Sequence, residues 1–199
     1  MANNTTAYGL KSVKLAAGAG FQGNPYYAPA SLASLGFNTP VIRAGTSNSV
    51  SIINGQEYPA GTLATIAVAT SGDGNKLTGS IVGFEAIPTN LFTVFNPANT
   101  ARIVYVDDSP TSVFTIIDDG ANLLAITDVG LNANLTVGTV NAVTGLDSTT
   151  LDTSTPATDA TFQLKILGLN NRPGNELAVG AEWVVKINNH TDANIVAGV

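Results

Sequence analysis

Apolar and polar residues alternate along much of the chain, and this period of two predicts half-buried β-strands. The alternation is clearest in residues 161–166 and 182–187. The side chains predicted to face the core in these two segments are Phe162, Leu164, Ile166, Trp183, Val185 and Ile187. The side chains predicted to face solvent are Thr161, Gln163, Lys165, Glu182 and Lys186. Both segments are therefore expected to lie in a sheet with one buried face.

Short apolar runs between turn-forming residues predict seven further strands. Their ranges are 40–44, 49–53, 63–69, 79–87, 102–106, 113–117 and 128–136. Asp and Pro at 107–110 and Asp and Gly at 118–120 are typical of tight turns, and no segment has the pattern of a helix of ten residues. Strands this short and this numerous predict an all-β fold, an antiparallel β-barrel or sandwich. Residues 139–159, rich in Thr, Ser and Asp, are predicted to form a long surface loop.

The first 39 residues show neither the strand period nor the helix period, and glycines and prolines interrupt them repeatedly. We therefore divide the chain into an extended N-terminal arm, residues 1–39, and a β-rich body, residues 40–199. Because fixing one backbone residue costs about 1–2 kcal/mol, the aromatic rings of the arm are not expected to order it by themselves. The arm is expected to become ordered on a second protein. The residues expected to make that contact are Lys11, Lys14, Phe21, Tyr26, Tyr27, Phe37 and Arg43.

Charge is scarce and unevenly distributed. Only 11% of the 199 residues are charged, while 44% are hydrophobic; a typical soluble protein has about 25% charged residues. This balance excludes a disordered chain and supplies too few Lys and Arg for nucleic-acid binding. Residues 1–56 contain three basic residues and no acid, whereas residues 78–199 contain four basic and twelve acidic residues. The arm therefore suits an acidic protein surface. A nucleic acid is not an expected partner because basic residues are few, and a membrane is not one because no run of about 18 apolar residues occurs.

Residue types that carry chemistry are few. The chain has no cysteine, which excludes a thiol nucleophile, a disulfide and a thiolate metal site. His190 is the only histidine, follows the last predicted strand and is expected to lie in a solvated turn. Glycines in 18–23 match the G-x-G-x-x-G spacing of a dinucleotide site, but prolines follow where its helix would run. We expect no catalytic residue, no cofactor and no metal, and we do not expect an enzyme.

Two acidic pairs allow a different interpretation. Asp107 and Asp108, and likewise Asp118 and Asp119, supply carboxylates of the kind that bind calcium or hydrolyse glycosides. No twelve-residue calcium-binding loop surrounds either pair, and turn formation explains both. A structural calcium ion and a polysaccharide hydrolase are therefore the weaker interpretations of these residues.

A set of motifs runs through residues 80–190. The motifs occupy 82–86, 102–108, 128–135, 149–155, 161–169, 172–176 and 183–190. Together they resemble a pattern found in capsid decoration (cement) proteins of tailed bacteriophages. The resemblance implies a β-rich protein that binds the outer surface of an assembled capsid and reinforces contacts between capsomers. It brings no catalytic residues to this chain.

The resemblance also implies partners and a location. The expected partners are the major capsid protein and neighbouring copies of the chain itself, arranged as a homotrimer. Such a protein is made in the host cytoplasm and resides on the capsid surface of the virion. Two other classes stay open, a glycan- or receptor-binding head fibre or tail module of a phage, and a self-assembling shell or surface-layer subunit.

Overall fold

Strands make up almost all of the regular structure. The computed structural model describes residues 3, 5–14, 23–49, 52–53, 55–154, 156–193 and 198. The strands are β1 (Lys11–Lys14), β2 (Asn24–Ala28), β3 (Pro40–Ser47), β4 (Ile52–Ile53), β5 (Gln56–Glu57), β6 (Ala64–Val68), β7 (Gly79–Phe84), β8 (Arg102–Asp107), β9 (Val113–Ile117), β10 (Asn132–Ala133), β11 (Leu135–Thr136), β12 (Thr150–Leu151), β13 (Leu164–Leu169) and β14 (Glu182–Ile187). A turn of 3-10 helix occurs at Ile126–Asp128, and within the described ranges no helix is long and apolar enough to cross a membrane. The predicted all-β class is confirmed.

Five strands close into a barrel in the order β2-β6-β3-β7-β8. Neighbouring strands are antiparallel except β2 and β6, which run parallel with Tyr27 opposite Thr65. Closure removes the unpaired edges of an open sheet. β7 and β8 approach so closely at Gly79 that a Cβ atom there would lie 2.0 Å from the carbonyl oxygen of Asp107. The barrel core consists of Tyr26, Ala28, Leu35, Val41, Ile66, Ile81, Val104 and Val106.

A second, antiparallel sheet has the strand order β1-β9-β14-β13-β10. Its core surrounds Trp183, which is 1% exposed and donates from Nε1 to Asp118 Oδ2 at 3.4 Å. Ala69, which follows β6, and Leu77, which precedes β7, also belong to this core. The second sheet therefore packs on the connection between two barrel strands.

Asp107, the last residue of β8, links the barrel to the second sheet. Its side chain is nearly inaccessible to solvent, at 1% exposure. Oδ1 accepts a hydrogen bond from Ser112 Oγ at 2.7 Å, and Oδ2 accepts one from Ser12 Oγ of β1. The turn predicted at 107–110 thus also holds β1 in place beside β8.

The strand predictions agree well with the structure. Each of the nine predicted segments contains an observed strand, and the six side chains predicted to face the core are buried. For Gln163 and Glu182 the predicted exposure is wrong, because other segments cover them. Gln163 donates from Nε2 to the Thr70 carbonyl at 2.8 Å, and Glu182 accepts from Asn170 Nδ2 at 3.0 Å.

The predicted arm, residues 1–39, does not form a separate extended segment. β1 pairs with β9 in the second sheet, and β2 pairs with β8 along its whole length inside the barrel. Hydrogen bonds to neighbouring strands of the same chain order this region. The expectation of a mobile arm considered only the burial of aromatic rings and did not include these hydrogen bonds. Residues 23–39 therefore belong to the body, and the boundary predicted at residue 40 lies between two barrel strands. Residues 15–22, which include most of the glycine-rich motif, lie outside the described residues.

The predicted surface loop at 139–159 is wrong for its middle, residues 147–153. β12 pairs with β11, and Leu151 is fully buried in the core of the second sheet. Asp147 and Thr153 are buried as well. Their side chains bond to other parts of the chain, Asp147 Oδ2 accepting from Thr39 Oγ1 at 2.9 Å. A polar composition therefore does not indicate exposure here, because buried polar groups find partners inside the fold.

Leu151→Ala is expected to lower the free energy of unfolding by about 2–5 kcal/mol, because it opens a cavity in a core that has closed around the leucine. Val143→Ala is the matched control from the same predicted loop, since Val143 is 88% exposed. It should change the free energy by less than about 0.5 kcal/mol. Urea denaturation followed by Trp183 fluorescence measures both variants, and an equally small effect for the two would contradict the burial of Leu151.

Candidate interaction surface

Three loop segments without a charged residue meet at the surface. They are residues 29–39 between β2 and β3, 86–101 of the β7–β8 loop, which follow Glu85, and 137–146 of the β11–β12 loop, which precede Asp147. We call the surface that they form the neutral face. The buried centres of protein–protein interfaces are depleted in charged residues. The neutral face is therefore the candidate interaction surface of this protein.

Backbone hydrogen bonds hold the three loops together. Leu35 and Asn96 exchange two N–H···O bonds, of 2.9 and 2.7 Å. The Phe37 N–H donates to the Gly145 carbonyl at 2.8 Å, joining the first loop to the third. Because the loops are fixed before any partner arrives, binding loses little conformational entropy in them.

Two glycines let the loops come this close. Gly145 has a φ of +70°, in the left-handed region, and a Cβ atom there would lie 2.6 Å from the carbonyl oxygen of Val94. A Cβ atom at Gly36 would lie 2.6 Å from the carbonyl oxygen of Gly145. Only glycine fits such positions without a shift of the backbone. The loops of the neutral face thus pack backbone against backbone.

A buried arginine fixes the base of the β7–β8 loop. Arg102 is 4% exposed and donates from Nε to the Glu85 carbonyl at 2.6 Å and from Nη1 to the Phe95 carbonyl at 3.0 Å. Its guanidinium carbon lies 5.0 Å from the centroid of the Phe84 ring, within the range of a cation–π contact. Burial lowers the pKa of this guanidinium. Arg102 joins the two ends of the loop and leaves residues 86–94 to project from them.

Apolar side chains project from the neutral face. Phe92 is 96% exposed, Leu91 is 73% exposed, and Val143 on the neighbouring loop is 88% exposed. Exposed apolar groups that lie together mark interaction sites more often than single exposed ones do. A depression of about 280 Å³ also lies in this face, and its lining is mixed: Ala33, Val68 and Val140 are apolar, whereas Thr39, Thr139 and Asp147 are polar or charged. The face therefore combines protruding apolar groups with a recess of mixed character.

Two of the residues expected to contact a partner, Tyr26 and Arg43, lie in an internal polar network. Tyr26 is 4% exposed, and its hydroxyl donates to Asp108 Oδ2 at 2.6 Å. Arg43 donates from Nη2 to that hydroxyl at 2.9 Å and pairs through Nη1 with Asp192 at 2.8 Å. Burial and the bond to Asp108 raise the pKa of Tyr26 to about 12. The network ties the barrel to the segment after β14, so these side chains are committed to the fold.

The other two aromatic residues in the described part of that set also pack within the fold. Tyr27 is 8% exposed and belongs to a small core cluster with Ile53 and Ile103. Phe37 is half-buried in the neutral face, where its ring meets that of Phe84 edge-on with centroids 5.1 Å apart. Tyr27 is therefore placed as a core residue rather than as an exposed anchor. Among the described members of the set, Phe37 lies in the neutral face.

The two lysines of the set lie elsewhere, on β1. Lys11 is exposed, with its Nζ 5.9 Å from the centroid of the Tyr8 ring. Lys14 is the last residue of the strand. Phe21 lies outside the described residues. The described members of the set therefore do not form one surface.

Hydrogen bonds within the chain account for the acidic pair after β9. Asp118 Oδ1 accepts from the N–H groups of Gly120 at 3.1 Å and Gly180 at 2.8 Å. Asp119 Oδ1 accepts from Thr153 Oγ1 at 2.6 Å. Burial raises the pKa of Asp118 although these hydrogen bonds oppose it. Among the described residues, no group of three or more His, Cys, Asp or Glu side chains is placed to hold a metal ion.

His190 is buried, so the predicted solvated turn is wrong. Its exposed fraction is 0%. Nδ1 accepts a hydrogen bond from the Asp192 N–H at 3.0 Å, while Nε2 has no hydrogen-bond partner in the described part of the chain. Leu77 and His190 form an isolated parallel bridge between the barrel and the segment after β14. Burial lowers the pKa of His190, partly offset by the Asp192 carboxylate.

Leu91 and Phe92 are functional candidates that the sequence predictions do not include. Their signal is the segment 91–95 between Pro88 and Pro97, in which four of five residues are apolar. Proline is disfavoured in the interior of a sheet. The apolar residues between these two prolines are therefore not expected to be buried in a central strand. An apolar run that cannot be a buried strand is a sequence indication of an exposed contact loop.

No protein-family model matches the chain, and neither a curated protein nor a solved structure is significantly similar to it. The structure shows an all-β protein with an ordered, uncharged candidate interaction surface. Inference about function therefore starts from that surface.

Arg102→Met is expected to lower the free energy of unfolding by about 2–3 kcal/mol, because two carbonyl groups lose a charged donor. The loop 86–94 should also become sensitive to limited proteolysis, since its two ends are no longer joined. Lys76→Met removes an exposed basic side chain and serves as control, with an expected change below about 0.5 kcal/mol. Protease resistance equal to that of the unaltered protein would show that Arg102 does not hold the loop.

The burial of His190 predicts acid sensitivity. Its pKa is lowered in the folded state, so below about pH 6.5 the unfolded chain binds a proton that the folded chain does not. The free energy of unfolding should therefore fall as the pH falls from about 6.5 through the folded-state pKa. His190→Asn keeps an acceptor for the Asp192 N–H without titrating. Urea midpoints measured at several pH values should give a smaller slope for this variant, and equal slopes would assign the acid sensitivity to other groups.

Proposed function

We propose that this protein is a structural, non-enzymatic component of a phage virion. It binds the outer surface of the capsid through the neutral face and reinforces contacts between capsomers. The observation that carries the proposal is the ordered, uncharged surface on which Leu91 and Phe92 are exposed. The motifs of residues 80–190, which resemble those of capsid decoration proteins, supply the class of partner.

The exposed side chains are suited to provide the binding free energy. Full burial of one large apolar side chain contributes roughly 1.5–3 kcal/mol, and Phe92 and Leu91 are 96% and 73% exposed before binding. The Arg102 contacts order the loop in advance, so less entropy is lost on binding. A modest affinity per site suffices when one particle offers many equivalent sites and bound copies engage more than one of them.

The lack of charge in the neutral face determines how the contact responds to salt. Loops 29–39, 86–101 and 137–146 contain no Asp, Glu, Lys or Arg. Salt weakens interactions between exposed charges by screening them, and here it has few charges on which to act. Attachment to the capsid should therefore persist when the ionic strength rises.

A glycan- or receptor-binding head fibre or tail module has less support from the contacts. That alternative relies on Tyr26, Tyr27 or the acidic residues in 107–119. Both tyrosines are buried, and the carboxylates of Asp107 and Asp118 accept hydrogen bonds within the chain. A glycan would have to displace these internal partners in order to use the same groups.

The double variant Leu91→Ser and Phe92→Ser is expected to weaken binding to purified capsids that lack this protein by at least tenfold, because it removes the apolar groups that the contact buries. Co-sedimentation over a range of protein concentrations measures the affinity. The variant should also fail to raise the temperature at which the capsids disrupt. Between about 0.1 and 0.5 M NaCl the affinity of the unaltered protein should change by less than about threefold.

Ile126→Ser is the matched control. Ile126 is also a large exposed apolar residue, at 76% exposure, but it lies outside the neutral face, so this variant should bind and stabilise capsids normally. Full capsid binding by the double variant would refute the role of the neutral face. Absence of capsid binding by the unaltered protein, combined with selective binding to a glycan array, would instead support the glycan-binding alternative.

A further inference from the structure

A row of register-paired residues crosses the outer face of the second sheet, and two lysines lie next to each other in it. The pairing registers place one residue from each strand in this row, in the order Lys14, Val113, Lys186, Lys165 and Asn132. Adjacent strands lie about 4.8 Å apart, so the row runs roughly 14 Å from β1 to β13. We call Lys165 and Lys186, which lie next to each other in this row, the basic row. They are two of the eight Lys and Arg residues of the chain.

Lys165 and Lys186 face each other without a compensating acid. They are direct partners in the β13–β14 register, and like charges in that position repel each other. Within the described residues neither lysine forms a salt bridge. Both line a shallow depression of about 180 Å³, together with Pro110 and Ala193. Two neighbouring cations beside a recess have the chemistry to receive carboxylates.

The same face of the sheet is covered at its other end. There Tyr8 donates from its hydroxyl to Thr115 Oγ1 at 3.1 Å, and Arg172 forms an ion pair with Glu182. Burial of Glu182 opposes its ionisation. The Tyr8 hydroxyl and the charge of Arg172 favour ionisation and keep the pKa of Glu182 below its ordinary value. The face therefore divides into a closed half with paired charges and an open half with unpaired cations.

Three carboxylates, two exposed and one half-buried, gather beyond β10, at the opposite edge of the sheet from β1. Asp73 accepts from Asn134 Nδ2 at 2.6 Å, and the Asp152 N–H donates to the Asn134 carbonyl at 3.0 Å. The Asp159 carbonyl accepts from Asn132 Nδ2 at 2.9 Å. We call Asp73, Asp152 and Asp159 the acidic edge. Among the described residues, each of their side chains accepts hydrogen bonds through Oδ1 alone.

We propose that the basic row of one copy of this chain binds the acidic edge of a second copy. Copies with a net charge of −6 repel each other in most orientations, and this orientation is the one that brings cations to carboxylates. Charge complementarity of this kind selects orientation more than it supplies affinity. Because the two surfaces are different parts of one sheet, the contact is heterologous, and repetition generates a ring or an open chain.

This contact differs from the proposed capsid contact in its physical basis. The neutral face is uncharged and apolar, whereas the basic row and acidic edge interact through exposed charges that salt screens. Self-association should therefore be strongest at low ionic strength. It should not depend on Leu91 or Phe92, which separates the two contacts experimentally.

Sedimentation velocity of the full chain tests the proposal. The unaltered protein should form dimers or larger species at about 0.02 M NaCl and dissociate at about 0.5 M NaCl. The double variants Lys165→Glu with Lys186→Glu, and Asp73→Lys with Asp159→Lys, should each remain monomeric at low salt. An equimolar mixture of the two variants should regain a dimer, because their altered surfaces are complementary again.

A single reversal, Lys76→Glu, is the control, since Lys76 is exposed but lies outside the basic row; it should associate as the unaltered protein does. The variant Leu91→Ser with Phe92→Ser should also associate normally, so loss of capsid binding and loss of self-association are told apart. The proposal is overturned if the unaltered protein is monomeric at low salt, if the lysine variant still associates, or if the mixture does not recover. If the unaltered protein is monomeric and the lysine variant loses capsid binding, the basic row contacts the capsid and not a second copy of the chain.

The absence of cysteine gives a second, independent readout. Lys186→Cys in one copy and Asp159→Cys in another should form a disulfide-linked heterodimer under mild oxidation, faster than either variant links to itself. Lys76→Cys paired with Asp159→Cys is the control and should link slowly. Equal rates for the two pairs would contradict the proposed orientation of the copies.

Discussion

The fold depends on polar side chains that satisfy backbone groups where strands cannot. Several strands are only two residues long, so many N–H and C=O groups lie outside the ladders, and each needs a partner when buried. Asp118 accepts from the backbone of Gly120 and Gly180. Asn48 accepts from the Leu63 N–H at 2.9 Å and donates to the Pro59 carbonyl at 3.2 Å. Short polar residues thus serve as structural elements, and this explains why so many of them are buried in a chain with few charges.

Hydrophobic alternation located the strands but could not show what covers them. Leu164 and Trp183 are buried on the face that the period of two predicts. Gln163 and Glu182 are buried on the other side by segments distant in sequence, which a local pattern does not report. β2 lacks an alternating pattern because Tyr26 and Tyr27 are both buried in a barrel strand. The neutral face was equally hidden, since it depends on three loops that only the closed barrel brings together.

The two proposed contact surfaces differ in their chemistry. The neutral face is made of loops that join barrel strands and neighbouring elements, and its proposed contact relies on apolar area. The basic row lies on a regular sheet, where strand register sets the spacing of Lys165 and Lys186. Residues expected from sequence to act together, such as Lys11 and Tyr26, lie in different parts of the fold, Lys11 on β1 and Tyr26 in the barrel core. A protein built in this way can hold a neutral partner and a charged one without competition between them.

Arg102 has a consequence for how the tip of the β7–β8 loop can change. It bonds to the carbonyls of Glu85 and Phe95, which are main-chain atoms present whatever side chains occupy the tip. The loop is therefore closed at its base by an interaction that does not depend on which side chains lie between Glu85 and Phe95. Residues 88–94 can accordingly diverge, lengthen or be replaced by a foreign peptide while the barrel beneath keeps its shape, which makes this loop a natural position for evolving new partners and for displaying grafted sequences.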